Sequence, residues 1–250
     1  MIVVSFGVRK SGSTLAAEMV RAVLELNGFP REVLPESLVR RSDYNALDRW
    51  SDEAMARLVE CTRGSAALVK THGPPDPLTL AALFRHLELG DVKIHLVYRD
   101  PRDTVLSMLD ERAKRGKSCA LDEVIDRLRA NVRKLRRWGA FPALRLCYDD
   151  FAFDRALGPQ LLADDLGLSV DPDEVWRLVE QRHTRRNVAR PHRHRTEMAP
   201  EVAAPIEAAV PDFLSLVEQG DLGFFDRPDP SPRRRRDRQV RRPRPRRAGA

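Results

Sequence analysis

Eight residues near the start, Gly7-Val8-Arg9-Lys10-Ser11-Gly12-Ser13-Thr14, carry two glycines, two cations and three hydroxyls. An apolar run at 2–6 precedes them, and a helical pattern of Leu15, Met19, Val20, Val23 and Leu24 follows at once. A glycine-containing turn between strand and helix is a phosphate cradle, because backbone N–H groups at the helix start face the anion and the helix dipole adds partial positive charge. The nucleoside-triphosphate version of this loop reads G-x-x-x-x-G-K-[ST]. Here Ser13 stands where its lysine belongs, and Lys10 lies two residues ahead of Gly12 instead. A lysine on that side of the glycine meets a phosphate from another direction, so the loop predicts an anion held differently from ATP.

Two further segments put chemically useful side chains at the ends of apolar runs. In Val97-Tyr98-Arg99-Asp100-Pro101-Arg102-Asp103-Thr104-Val105-Leu106-Ser107, a guanidinium is followed eight residues later by a hydroxyl. The guanidinium offers a fork of donors to a phosphate, and the hydroxyl, two turns up a helix that starts at Pro101, closes the other side. In Leu68-Val69-Lys70-Thr71-His72-Gly73-Pro74, an amine and an imidazole lie two residues apart.

Taken in order, the three segments resemble the family of sulfotransferases that use 3′-phosphoadenosine 5′-phosphosulfate (PAPS). Arg9-Lys10-Ser11-Gly12-Ser13-Thr14 is similar to that family's 5′-phosphosulfate loop, P-[KR]-[ST]-G-[ST]-[ST]. Arg99 and Ser107 have the spacing of its 3′-phosphate site, and Lys70-Thr71-His72 resembles its K-[ST]-H segment, which supplies the catalytic base. The resemblance covers about residues 1–225 and implies a role for each residue. Arg9 and Ser11 to Thr14 hold the 5′ end, and Arg99 and Ser107 grip the 3′-phosphate and distinguish PAPS from ATP. Lys10 neutralises charge on the bridging oxygen, Lys70 stabilises the transferring group, and His72 takes the proton from an acceptor hydroxyl or amine.

Weaker matches extend the likeness. Tyr148-Asp149-Asp150-Phe151 resembles the family's Y-E-D segment and makes Tyr148 a neighbour of the adenine. His183-Thr184 resembles a pair preceding the adenosine contacts, so Thr184 joins the donor site. Arg190 and Arg193 occupy the place of the basic loop that caps the 3′-phosphate. The family's usual Arg-Lys-Gly and later Gly-Asp-Trp patterns are missing, and Leu15 replaces an aromatic found in many cytosolic members, which leaves adenine stacking to other residues. The implied reaction moves a sulfuryl group from PAPS to a small-molecule acceptor, releases adenosine 3′,5′-bisphosphate (PAP) and requires no metal.

The elements that must position these residues are legible in the hydrophobic pattern. Short apolar runs rich in β-branched residues at 2–6, 66–71, 92–98 and 144–148 predict strands. Leu121, Val124, Ile125, Leu128, Val132 and Leu135 form one apolar stripe of a helix over about 120–138. Further helices are expected at 13–27, 51–62, 78–88, 102–115, 172–182 and 200–219, and a ligand-covering loop at 184–198. Strands alternating with helices predict an α/β, three-layer, P-loop-like fold with a central, mostly parallel sheet, its ligands in the crevice beyond the carboxyl ends of the strands.

Charge divides the chain in two. Its net +7 is misleading, because the segment from Arg233 onward holds ten arginines and one aspartate, which is +9, and leaves −2 for residues 1–232. A sulfotransferase domain over 1–226 and an Arg/Pro-rich tail over 227–250, too polar to bury a core, are the expected divisions. Nothing aromatic interrupts the tail, so it has no stacking platform for bases, and nucleic acid is not an expected partner except through the tail's charge. Cys61, Cys119 and Cys147 are too scattered for a disulfide framework, and the segment 2–6 is far shorter than a signal h-region. No apolar run reaches a membrane span of about 20 residues, so a cytoplasmic location is expected. The histidines at 183, 192 and 194 have no second set of ligands at metal-binding spacing. Two rivals remain: a P-loop kinase of small molecules, which lacks its lysine at Ser13 and leaves the Arg99 to Ser107 spacing unexplained, and a nucleic-acid-binding protein, which the near-neutral body disfavours.

Overall fold

A computed structural model describes residues 1–30, 34–35, 37, 52–75, 85–182 and 190–227. Four strands, β1 (Ile2–Gly7), β2 (Ala67–Thr71), β3 (Val92–Tyr98) and β4 (Leu144–Cys147), form one sheet in the order β2-β1-β3-β4. Every pairing is parallel, with Val4 opposite Val69 on one side and Ile94 on the other. β1 is apolar on both faces, as expected of a strand covered on both sides. Ile2, Val4 and Phe6 enter one core with residues of α2 (Asp52–Cys61), α3 (Pro101–Lys114), α4 (Leu121–Trp138), α9 (Pro200–Ala209) and α10 (Pro211–Gln219). Val3 enters the other core with α1 (Ser13–Leu26), α6 (Leu157–Leu166) and α7 (Pro172–Gln181). Between β4 and α6 lies the single turn α5 (Tyr148–Phe151), and α8 (His194–Glu197) precedes α9.

The order β2-β1-β3-β4 reverses direction between β1 and β3. In an open parallel sheet, ligands bind at such a switch point, outside the strands' carboxyl ends. The loop after β1 and the turn after β3 therefore flank the crevice, and these are the loop of Arg9 to Gly12 and the turn at Arg99.

The α/β three-layer architecture matches the expectation, and four local readings are corrected. The expected helix over 200–219 is two helices, with Val210 between them at φ −143°, ψ 52°. Pro211 forces this break, because a proline ring excludes the α conformation from the residue before it. The fourth strand ends at Cys147 rather than 148, and Tyr148 starts a helical turn. α6 was not anticipated. Gly158 and Pro159 suggest a break, but both sit in the first turn, where no N–H is needed, and Asp154 Oδ1 accepts the amides of Ala156 and Leu157 there (2.9 and 3.0 Å). The loop expected over 184–198 contains α8, which is held by an Arg193–Glu197 pair one turn apart. Of the helix expected at 78–88, residues 85–88 are helical and 76–84 lie outside the described residues.

Candidate active site

The loop after β1 is built around two glycines and a serine that faces inward. Gly12 has φ +79°, and a Cβ on it would lie 2.0 Å from Cδ2 of Tyr148. Only glycine allows both the left-handed turn and the ring above it. Lys10 also has positive φ, 71°, a conformation that a non-glycine residue holds only where its surroundings enforce it. Ser11 is fully buried, and the single proton of its hydroxyl is shared between the carbonyls of Val8 (2.6 Å from Oγ) and Val97 (3.0 Å), while its N–H donates to Val8. These contacts tie the loop to the end of β3. The first intrahelical bond of α1 runs from Ala16 N to Gly12 O (3.1 Å), so the amides of Ser13, Thr14 and Leu15 point toward the crevice without a helical partner.

β2 delivers two groups to the same place. Lys70 Nζ donates to Thr14 Oγ1 (2.7 Å), and burial lowers the amine to about 8 despite the nearby Glu18 carboxylate. Lys70 therefore keeps its charge at neutral pH, and an anion in the cradle would strengthen its hold on the proton. His72 Nδ1 lies 2.7 Å from the carbonyl of Gly7. A carbonyl only accepts, so the proton sits on Nδ1 and Nε2 is left as an acceptor. Burial lowers this imidazole to about 4, offset in part by the Gly7 bond. Around it, α4 closes the frame: Lys134 Nζ donates to His72 O (3.1 Å) and Trp138 Nε1 to Gly73 O (2.8 Å).

The turn after β3 is organised by carboxylates. Asp100 caps α3, accepting from Arg102 N (2.8 Å). Arg99 is buried, with its guanidinium 4.5 Å from the Tyr148 ring centroid, and its Nη2 donates to Asp103 Oδ2 (3.0 Å) and to the Arg190 carbonyl (2.9 Å). Its Nε lies 3.6 Å from Asp149 Oδ1. Burial pushes the Asp149 carboxyl above its ordinary value, even against the pull of Arg99. Asp103 also accepts from the backbone of Arg193 and His194 (3.2 and 2.7 Å), which docks the segment beyond residue 190 onto the start of α3. The sequence marks Asp103 only weakly, as an acidic residue in the first turn of a helix next to a predicted anion-binding arginine.

A cavity of about 1020 Å³ opens over these residues. Arg9, Lys10, Gly12, Ser13, Thr14, Lys70, His72, Arg99 and Tyr148 line it, so the structure gathers nine of the expected residues from four separate segments. Ser107 is buried on α3 and is not part of the wall. The Arg193 side chain turns to Asp110 and Glu197 (2.9 and 2.6 Å) and away from the cavity. The Arg190 side chain is exposed and only its carbonyl approaches Arg99. His183 and Thr184 lie outside the described residues. One half of the wall is apolar and aromatic, with Leu15, Ala152, Phe153, Trp176 and Val179 beside Tyr148. The other half comes from α3 and α4 and is basic. Phe153, Trp176 and the α4 wall were not read from sequence, because spacing along one segment does not tell which helix will face which loop. Among the described residues, no group of three or more His, Cys, Asp or Glu is arranged to hold a metal, and no helix is long and apolar enough to cross a membrane.

No protein-family model matches the chain, and no curated protein matches its sequence. Solved structures do match its fold. Retinol dehydratase in complex with retinol and PAP superposes with a TM-score of 0.53 at 15% identity, covering 87% of this chain and 82% of that one. Retinol dehydratase with androsterone and inactive cofactor PAP gives a TM-score of 0.53 at 16% identity, covering 87% and 81%. The chain has the fold of these proteins.

Proposed function

We propose that this protein is a PAPS-dependent sulfotransferase acting on a hydroxyl or amine of a small molecule. One observation carries the reading: Lys10, Thr14 with Lys70, and a histidine whose Nε2 is left unprotonated meet at one cavity, at the switch point of the sheet. The fold shared with proteins crystallised with PAP supports it. The site suits the donor. Gly12 leaves room that a Cβ would fill, the amides at the start of α1 and the Lys10 and Lys70 amines suit the 5′ end, and the aromatic half of the wall suits an adenine. Tyr148, Phe153 and Trp176 supply the ring contacts that Leu15 does not.

PAPS brings an activated sulfuryl group with PAP as its leaving group. The chain's part is positioning and charge stabilisation, as in phosphoryl transfer. His72 Nε2 accepts the acceptor's proton as its oxygen or nitrogen bonds to sulfur. Opposite, Lys10 neutralises the charge left on the 5′-phosphate oxygen when the sulfur–oxygen bond breaks. Lys70, fixed on Thr14, steadies the equatorial oxygens. Arg99 binds the 3′-phosphate, and anion binding there would compete with its hydrogen bond to Asp103 and its ion pair with Asp149. The body over 1–226 is the catalytic unit, and unpaired cysteines fit a cytoplasmic setting.

Calorimetric titration with PAP, with ATP-magnesium for comparison and Arg99→Ala beside the wild type, tests this reading. Low-micromolar PAP binding, about −8 kcal/mol, lost in the variant and much weaker for ATP, is the expected result. ATP-magnesium binding as tight as PAP and indifferent to Arg99 would overturn it in favour of a kinase.

A further inference from the structure

The α4 side of the cavity has its own chemistry. Val124, Arg127, Asn131 and Lys134 all line it, and their spacings of three, four and three residues place them in one stripe along the helix. The stripe ends at the base, where Lys134 Nζ holds the carbonyl of His72 (3.1 Å). Arg127, seven residues earlier, stands about 10 Å up the helix axis from that point. Asn131 lies between them, only 6% exposed, and its amide makes no hydrogen bond among the described residues. Val124 and Met108 supply apolar surface beside it.

The charge on this side is predominantly positive. Glu111 is the only carboxylate that α3 and α4 contribute to the wall, and it is shared by Lys10 (3.0 Å) and Arg115 (2.7 Å). Arg112 pairs with Glu123 (3.3 Å). Arg127 and Lys114 have no ion pair among the described residues. The acids of α4 near Arg127, Asp122, Glu123 and Asp126, are not among the residues of the cavity wall, and Asp126 pairs with Arg129 (3.2 Å). An ordinary solvated helix face would intersperse both signs, whereas a cleft lined by one sign focuses the field on an incoming ligand of the opposite sign. The donor accounts for Arg9, Lys10 and Lys70, which sit around the phosphate loop, and assigns no role to Arg127 and Asn131.

We infer that the acceptor is an anion: its nucleophilic hydroxyl or amine lies at His72, Asn131 hydrogen-bonds its middle, and a carboxylate, sulfate or phosphate group meets the Arg127 guanidinium. This rests on the sulfotransferase reading and extends it, since retinol and androsterone, the molecules bound in the two similar structures, carry no charge.

The test uses the full chain with para-hydroxyphenylpropanoate and its methyl ester, a pair in which one added methyl removes the charge at the end remote from the phenol. Transfer of radiolabelled sulfate from PAPS gives kcat/KM for each, and equilibrium binding of each is measured on free and PAP-saturated protein. The acid should be preferred by about tenfold, in line with one charge-assisted contact. Arg127→Gln should bring the ratio near one and Arg127→Glu should reverse it, with PAP affinity as the check that each variant is folded. An ester used or bound as well as the acid, a preference that survives Arg127→Glu, or neither compound bound at millimolar concentration would overturn the inference. Failure of PAP to bind would instead sink the donor reading, and the acid-to-ester binding ratio on the free protein would still decide the acceptor's charge.

Discussion

His72 is held by one nitrogen and exposes the other, and this division has a consequence in pH. Its folded value is lowered to about 4 by burial, whereas an unfolded histidine titrates near 6.5. Between those values the unfolded chain binds a proton that the folded chain does not, so stability falls as pH drops from about 6.5 to 4 and levels off below. The loss is of the order of 2–3 kcal/mol. Denaturant unfolding of wild type and His72→Gln across pH 4 to 7 should show the wild type losing that much more, while the variant turns over at least a hundredfold more slowly. Parallel stability curves would mean that the imidazole is solvated. Gly12→Ala tests the loop at the same scale. Its Cβ would collide with Tyr148 at 2.0 Å and would have to sit at φ +79°, so a loss of about 1–3 kcal/mol in stability is expected, together with weakened PAP binding by calorimetry.

At the level of elements, α4 does more than cover the sheet. Trp138 is fully buried, stacks on Phe6 at 5.9 Å and donates to the carbonyl of Gly73, next to the proposed base. The apolar stripe of α4 is what the sequence pattern revealed, and it accounts for the packing on β1. The hydrogen bonds from Lys134 and Trp138 to the chain after β2 were not legible, because they join residues more than 60 positions apart. Trp138→Phe should keep most of the packing and lose the bond. The expected outcome is about 1–2 kcal/mol less stable by thermal unfolding, a kcat reduced roughly tenfold and an unchanged PAP affinity. A loss of stability with full kcat would show that the tryptophan serves packing alone.

For the whole molecule, the charge division makes a direct prediction. Arg227, the first residue of the expected tail, bonds Asp221 (2.6 Å). A chain ending at Arg227 should retain PAP binding and turnover within about twofold, and lose any affinity for nucleic acid, since the remaining body is close to neutral and its cations are matched by acids. Filter binding to a duplex and the transfer assay, run side by side, check it. Turnover that disappears with the tail would place those residues in the catalytic unit.

The order of strands and helices, and the chemistry of the three segments ending at Thr14, His72 and Ser107, were local properties: each is written in consecutive residues whose period or spacing has a direct physical meaning. Gly12 belongs with them, because a glycine between strand and helix announces a turn that needs one. The roles of Ser11, Asp103, Arg193 and the α4 wall were decided only in the folded chain. Whether a hydroxyl faces a ligand or a carbonyl, and whether an arginine meets a phosphate or a neighbouring glutamate, depends on which segments the sheet order brings together. Ser11 reaches Val97 because β1 lies beside β3, and Arg193 reaches Asp110 because Asp103 docks its backbone on α3. Such contacts are set by packing across long sequence separations, where hydrogen-bond competition among many possible partners chooses one.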